Sequence, residues 1–313
     1  MSWRILIIST PAQVSVKMHS LVIDQKEKVS IPLEDISVVV LDSYGIQLSA
    51  EVLMHLIEYK TTMIVCDQKH LPVAQLLPYE PHSRQLKVLN NQLSLSEPFK
   101  KRLWQKIIQQ KIINQGYVLS QLGFEDTIGH LASTVQSGDS ANREAYASRL
   151  YFSMLLGKNT TRKDEDKRNA ALNFGYSIIR SLIARNLASY GFLTSMGVHH
   201  KNELNSYNLA DDFIEPYRPI VDLFVYNSIV FDSESSDLSK EERYKIIDIL
   251  NFSCKLLEKF FPIKDAIELT IKSFISAINE KDHTKLLLPS VSSNNEKIYE
   301  SHGNVRSSDE DKE

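Results

Sequence analysis

Two prolines mark a change in periodicity that fixes what this chain can become. Up to Pro78-Tyr79-Glu80-Pro81 the large apolar residues come in short β-branched runs, and beyond that point they recur at spacings of three and four. A helix-period pattern does not settle as a strand, nor the reverse. Each proline also removes a backbone donor and pushes its predecessor out of the helical region, so the prolines make a natural boundary. Before it, Ile5–Ile8, Val29–Leu33, Ile36–Leu41, Met63–Cys66 and Val73–Leu77 read as strands. Between them Ser49–Tyr59 places apolar residues at 52, 53, 56 and 57, one face of a helix. After the boundary, 98–123, 141–157, 167–190, 212–231, 240–260 and 263–281 carry helical spacing, with Gly191 as a stop. The expectation is an α+β chain without internal repeats. It has a small β-rich N-terminal domain over 1–80 and a larger all-α domain over 81–289. A polar tail over 290–313, poor in large apolar residues, is expected to be disordered.

At 313 residues and 42% hydrophobic content the chain has enough material for sizeable cores. No apolar run approaches the roughly 18–20 residues that cross a bilayer, and Ile5–Ile8 is too short for the apolar core of a signal peptide, so a cytoplasmic protein without membrane contact is expected. Two cysteines, Cys66 and Cys254, make neither a disulfide framework nor a CxxC pair. The ten glycines are never closer than six apart, which excludes GxGxxG and the P-loop, and neither HExxH nor Gly-x-Ser-x-Gly occurs.

The net charge of -3 conceals a segregation. Residues 84–111 hold seven basic side chains against Glu97 alone, and 143–185 hold nine against four acidic ones, while 1–83 and 290–313 are acidic. Such segments make a phosphate-binding footprint whatever the overall charge, although 84–111 alone reads equally well as a solvated helix face.

Three features in the helical half break its packing pattern. Glu144 lies on or beside the apolar stripe of 141–157, with Ser148 and Tyr151. A buried carboxylate there needs a cation or donors, and a structural pair with an arginine such as Arg180 would meet that need as well as a catalytic role would. His199 and His200 sit in the polar stretch Gly197–Asn202, where imidazole is able to ligate a metal, act as acid or base, or stay inert on the surface. In Asn208–Pro219, Asp212 and Glu215 have the spacing of a helix capping box. With Asp211 they also concentrate oxygen donors that, with one imidazole, suit Mg²⁺ or Mn²⁺.

Taken in order, Glu144, the stretch Arg168-Asn169-Ala170-Ala171-Leu172-Asn173-Phe174-Gly175-Tyr176, then His199-His200, then Leu209–Pro219 resemble the CRISPR-associated integrase, the catalytic subunit of spacer acquisition, most closely its type II form. The likeness covers roughly residues 1–285 and implies the same β-rich and α-helical pairing. By resemblance Glu144, His200 and Glu215 are the metal ligands, and Asp212 is a further acid that contributes directly or through water. The cofactor is then Mg²⁺ or Mn²⁺, and the activity a transesterification joining DNA 3′-hydroxyl ends to a CRISPR repeat, or endonuclease cleavage with water. Implied partners are double-stranded protospacer and repeat DNA, a second copy bound through the β-rich domain, and a small ferredoxin-like adaptation subunit. In type II systems a DNA-end-binding accessory protein and the effector nuclease join them. Resemblance and charge together make Arg149, Lys163, Arg168, Arg180 and Arg185 candidates for phosphate contacts. Asn169, Asn173 and Gly175 read as helix-tying residues rather than reactants. Two other readings compete: an unrelated metal nuclease using His199, His200 and Asn202, and a non-catalytic DNA-binding scaffold.

Overall fold

The computed structural model describes residues 4–68, 70–77, 84–157, 161–231 and 237–291. The expected boundary at 78–81 and positions 292–313 of the expected tail lie outside the described residues.

The N-terminal region is rich in strands as expected, and these form two four-stranded sheets. Strands β1 (Arg4–Ile8), β2 (Ala12–Lys17), β3 (Ser20–Asp24), β4 (Lys28–Pro32), β5 (Ile36–Leu41) and β6 (Ile46–Leu48) precede helix α1 (Ala50–Glu58), followed by β7 (Thr62–Cys66) and β8 (Pro72–Gln75). The first sheet runs β1-β5-β7-β8, with β8 alone antiparallel, and the second runs β4-β3-β2-β6. The added strands are β2, β3 and β6. Met18 and His19, at φ of 48° and 58°, make the tight β2–β3 turn without the glycine or asparagine that usually announces one.

The helical half consists of α2 (Gln85–Leu93), α3 (Glu97–Gln121), α4 (Arg143–Leu155), α5 (Lys167–Ser189), α6 (Asn208–Ile214), α7 (Arg218–Ser228), α8 (Lys240–Ile247) and α9 (Ile263–Glu280). Gly191, at φ of 85°, follows the end of α5 as anticipated. This half is not purely helical. Within the window read as helix over 240–260, β9 (Ser253–Leu256) starts a hairpin with β10 (Lys259–Pro262). Its turn, Leu257-Glu258, again has left-handed φ angles in non-glycine residues. Ser290 pairs with Lys255 on the free side of β9, and Val291 is buried, so the first two positions of the expected tail are held in the fold.

Sheet β1-β5-β7-β8 is the wall between the halves. Side chains alternate across a strand, and on β5 Val38 and Val40 enter the helical core while Val39 and Leu41 enter the N-terminal core with α1, which Ile36 also joins across an irregularity in the β1–β5 register. A strand buried on both faces needs a nearly continuous apolar run, and Ile36–Leu41 is one. Polar contacts pin the same seam. Arg243 of α8 pairs with buried Asp42 at 3.4 Å, and Arg185 of α5 donates to the Lys60 carbonyl.

Candidate metal and DNA site

Three segments deliver the predicted acids and imidazole to one region. Asp139 positions Glu144: its carboxylate accepts from the Arg143 and Glu144 amides at 2.8 and 3.0 Å, meeting the orphan donors of the α4 start. Glu215 sits where α6 gives way to α7, in a short tight turn at Glu215–Tyr217 that contains Pro216. The proline keeps this junction from being one regular helix, and Asn114 of α3 holds the Pro216 carbonyl at 2.8 Å.

The histidine loop is built around Asp212, which is fully buried. Its carboxylate accepts from the backbone amides of Val198, His199 and His200 at 2.5, 3.0 and 3.1 Å, and it meets His200 Nδ1 at 2.7 Å. The loop closes this tightly because position 197 is glycine. A Cβ there would meet the His200 carbonyl oxygen at 2.3 Å and Asp212 Oδ2 at 2.8 Å. With its oxygens given to four donors, Asp212 is neither a helix cap nor a free ligand. It orients the ring, donated to by Nδ1–H, so that Nε2 carries the lone pair, the arrangement common to metal-binding histidines. That hydrogen bond raises the His200 pKa above its ordinary value. His199 turns away and stacks on Trp104, with ring centroids 4.1 Å apart and planes 1° from parallel. Burial lowers the His199 pKa. Asn202 serves the loop itself, its side-chain oxygen accepting from Leu204 at 3.0 Å.

Between the two glutamates stands a residue that sequence reading passed over. Lys111 Nζ donates to Glu144 Oε1 and, at 2.5 Å, to Glu215 Oε2. The partner of Glu144 is therefore Lys111 and not Arg180, which pairs with Asp211 at 2.5 Å. Glu215 also accepts from Arg218 Nε at 2.8 Å. Burial alone would push the Glu215 carboxyl up, but Arg218 and Lys111 reverse that and hold it at about 2. The Lys111 pKa is likewise raised, because the two glutamates outweigh its desolvation. The available signal was a lysine on the buried face of α3, one turn after Ile107 and beside Ile108 and Ile112.

His200 and Glu215 line one cavity of about 390 Å³ with Asn173, Tyr176, Arg180 and Arg218. Arg218 lies over the Tyr176 ring at 4.6 Å, and the Tyr176 hydroxyl donates to Asp222, which also accepts from Tyr151 at 2.9 Å. Among the five candidate phosphate contacts, Arg180 faces this cavity and Arg149 and Lys163 are exposed. Arg168 instead donates to the Leu156 carbonyl at 3.3 Å, and Arg185 is committed to Lys60. Asn169 and Asn173 both accept from Arg162, which ties the loop before α5 to that helix. Gly175 lets α7 approach α5, since a Cβ would meet Val221 at 2.6 Å.

The donor chemistry fits a hard divalent cation: two carboxylates already share one positive charge, and an oriented imidazole faces the same cavity as one of them. Among the described residues, no three such side chains are arranged to hold a metal ion as they stand. The cations in place are the Lys111 ammonium, shared by both glutamates, and Arg218 on Glu215.

Comparison with known proteins agrees with the resemblance. The family model described as CRISPR associated protein Cas1 matches residues 5–243. The CRISPR-associated endonuclease Cas1 of Neisseria meningitidis serogroup C (strain 8013) is 39% identical over 304 residues, 96% of this chain and 100% of the relative. Among solved structures, a casposase bound to integration product superposes with a TM-score of 0.73 at 19% identity, over 89% of this chain and 91% of the other. A chain of a Cas6-RT-Cas1–Cas2 complex superposes with a TM-score of 0.66 at 21% identity, over 93% of this chain and 36% of that longer one. The fold is shared with both. The chain belongs to the Cas1 family of CRISPR-associated proteins.

Proposed function

We propose that this chain is the metal-dependent DNA integrase and endonuclease of CRISPR adaptation, using Mg²⁺ or Mn²⁺ held by Glu144, His200 and Glu215. The observation that carries this reading is the convergence of Glu144 and Glu215 on one shared cation beside a cavity lined by His200, Arg180 and Arg218. Family membership supports it, as do the endonuclease name of the Neisseria relative and the integration product held by the casposase. In strand transfer a DNA 3′-hydroxyl forms a new phosphorus–oxygen bond as the bond to the leaving 3′ oxygen breaks, so the number of phosphodiesters is unchanged. Water in place of the hydroxyl makes the same site an endonuclease, and the reverse reaction is disintegration. A bound divalent ion would polarise the phosphate and stabilise the leaving oxygen.

The protein supplies the rest. Asp212 fixes the His200 ring, Arg218 is braced by Tyr176, and Arg180 and Arg218 put positive charge where a phosphodiester would enter. Asp212 is thus a positioning residue. The complex is read as a homodimer through the β-rich half with the small ferredoxin-like subunit, acting on protospacer and repeat DNA. The type II accessory end-binding protein and effector nuclease would join it. The Cas1–Cas2 complex among the structural neighbours supports the subunit pairing.

The decisive assay is transfer of a labelled short duplex with free 3′-hydroxyls into a supercoiled plasmid carrying a CRISPR repeat, in Mn²⁺ with the small subunit present. Covalent label from wild type but at least 100-fold less from Glu144→Ala and His200→Ala is expected, a loss on the scale of removing a metal or transition-state contact. No transfer by a wild-type protein that still binds DNA would favour the scaffold reading. Loss in His200→Ala with full activity in Glu144→Ala would favour the histidine–asparagine nuclease.

A further inference from the structure

Lys111 and Gln115 lie one turn apart on the buried face of α3, and both are almost completely inaccessible. The Lys111 ammonium touches Glu144 and Glu215. Gln115 closes on the same cluster from the other side: its Nε2 donates to Ser148 Oγ at 3.4 Å, and Ser148 donates to Glu144 Oε1 at 3.0 Å. The Gln115 Oε1 atom is buried and has no hydrogen-bond partner. A buried acceptor left unpaired one helical turn from a buried ammonium is unusual, because each such atom costs stability and native interiors satisfy nearly all of them.

Resting on the metal-site reading above, we propose that Lys111 is an exchangeable counter-cation. It holds Glu144 and Glu215 in register while the site has no metal, and the arriving divalent ion displaces it toward the unpartnered Oε1 of Gln115. A buried carboxylate, Glu215, and a half-buried one, Glu144, repel each other without a cation, so a metal-free site needs a positive charge between them. Arg218 already pairs with one oxygen of Glu215, so Lys111 is the cation that Glu144 and Glu215 share, and a divalent ion in its place would bind both carboxylates. Lysine suits the task because its charge is compact and rides on a flexible four-carbon stem, whereas the planar fork of arginine would lock in place. Gln115, one helical turn along the same face, offers the displaced ammonium an acceptor that is otherwise unused.

Mn²⁺ binding without DNA, followed by calorimetry and by the fall in the free-Mn²⁺ spin-resonance signal, tests the exchange without reference to activity. Wild type, Lys111→Met, Gln115→Leu and Glu144→Gln would be compared, with metal-free melting temperatures measured alongside. Lys111→Met is expected to bind Mn²⁺ at least tenfold more tightly and to gain more thermal stability from it than wild type. Gln115→Leu is expected to bind severalfold more weakly with an unchanged metal-free melting temperature. Unchanged or weaker binding by a folded Lys111→Met would overturn the exchange and leave the metal site standing, provided Glu144→Gln still weakens binding. Should Lys111→Met not fold without metal, Gln115→Leu decides, and its binding Mn²⁺ like wild type overturns the proposal. If neither wild type nor Lys111→Met binds Mn²⁺, the metal-site reading itself falls, and the exchange with it.

Discussion

Asp212 and Glu215 stand three residues apart on one short stretch, are both buried, and are neutralised by opposite means. Asp212 faces backbone amides and one ring N–H, groups fixed by the path of the 197–200 loop. Glu215 faces the ends of two long side chains, Lys111 and Arg218. The first arrangement cannot be altered without rebuilding the loop, whereas the second can exchange one cation for another while the backbone stays where it is. Under the proposed function the two corners divide the work, a rigid one aiming the imidazole and an exchangeable one taking charge.

Removing the two acids one at a time separates the rigid corner from the exchangeable one. Asp212→Ala leaves three amides and the His200 ring without their acceptor, and a loss of roughly 4 kcal/mol in metal-free unfolding stability is expected. Glu215→Gln leaves Lys111 paired with Glu144 and keeps a side-chain acceptor for Arg218, so about half that loss is expected. Urea titrations of the two variants at pH 7 measure both. A Glu215→Gln protein less stable than Asp212→Ala would mean that the long side chains, not the loop, carry the rigidity.

The acids of this site were legible in the sequence, and their partners were not. Glu144 stands out because charge on or beside an apolar face is a visible conflict, while His200 and Glu215 are singled out from a polar stretch and an acidic cluster by resemblance. Lys111 falls in a run of basic residues that reads as solvated surface, and its burial emerges only when α3 packs against α4 and the α6–α7 junction. Pairing Glu144 with Arg180 was plausible by charge but ignored Asp211, which takes that arginine. In the fold, β5 is plain from an apolar run interrupted only by Ser37, while β2 and β3 escape the reading although Ala12, Val14 and Val16 alternate. Hairpin β9–β10 reads as helix because Leu250, Cys254 and Leu257 continue the three-and-four spacing of Ile246 and Ile247 in α8. Turns at Met18-His19 and Leu257-Glu258 give no compositional warning, because the pairing of the flanking strands rather than residue preference holds their left-handed angles.

A third carboxylate on the same stretch sharpens the contrast through pH. Asp222, on α7, has two tyrosine hydroxyls as its hydrogen-bond donors, and burial outweighs them, raising its pKa to about 6. The folded state therefore keeps a proton between about pH 4 and 6 that the unfolded chain has lost, so this group makes stability fall as pH rises through that window. Glu215 has the opposite sign: with a folded pKa of about 2, its contribution is present above the ordinary glutamate range and is lost as pH falls toward 2. Each shift corresponds to about 3 kcal/mol. Asp222→Asn should remove the decline between pH 4 and 6, and Glu215→Gln should flatten the acid limb below pH 4.5. Denaturant titrations across pH 2.5–7 read both slopes.

The smallest expected effect tests whether the loop corner is as rigid as its geometry implies. An alanine Cβ at position 197 would lie 2.3 Å from the backbone oxygen of His200 and 2.8 Å from Asp212. Neither atom can step aside alone, since Asp212 is tied to three amides and the His200 oxygen belongs to the loop itself. Gly175→Ala makes a comparable clash, 2.6 Å to Val221 Cγ1, but there the obstacle is a methyl group on a neighbouring helix. Both variants should lose about 1–3 kcal/mol of unfolding stability, the usual cost of overpacking. Only Gly197→Ala should also move His200, seen as a changed ring-nitrogen resonance and a lower strand-transfer rate. The loop opens to admit the methyl, so the ring loses the Asp212 contact that aims Nε2, whereas a small shift between α5 and α7 leaves that contact intact. Equal histidine shifts in the two variants would show that the loop moves with the helices and that the two corners are one mechanical unit.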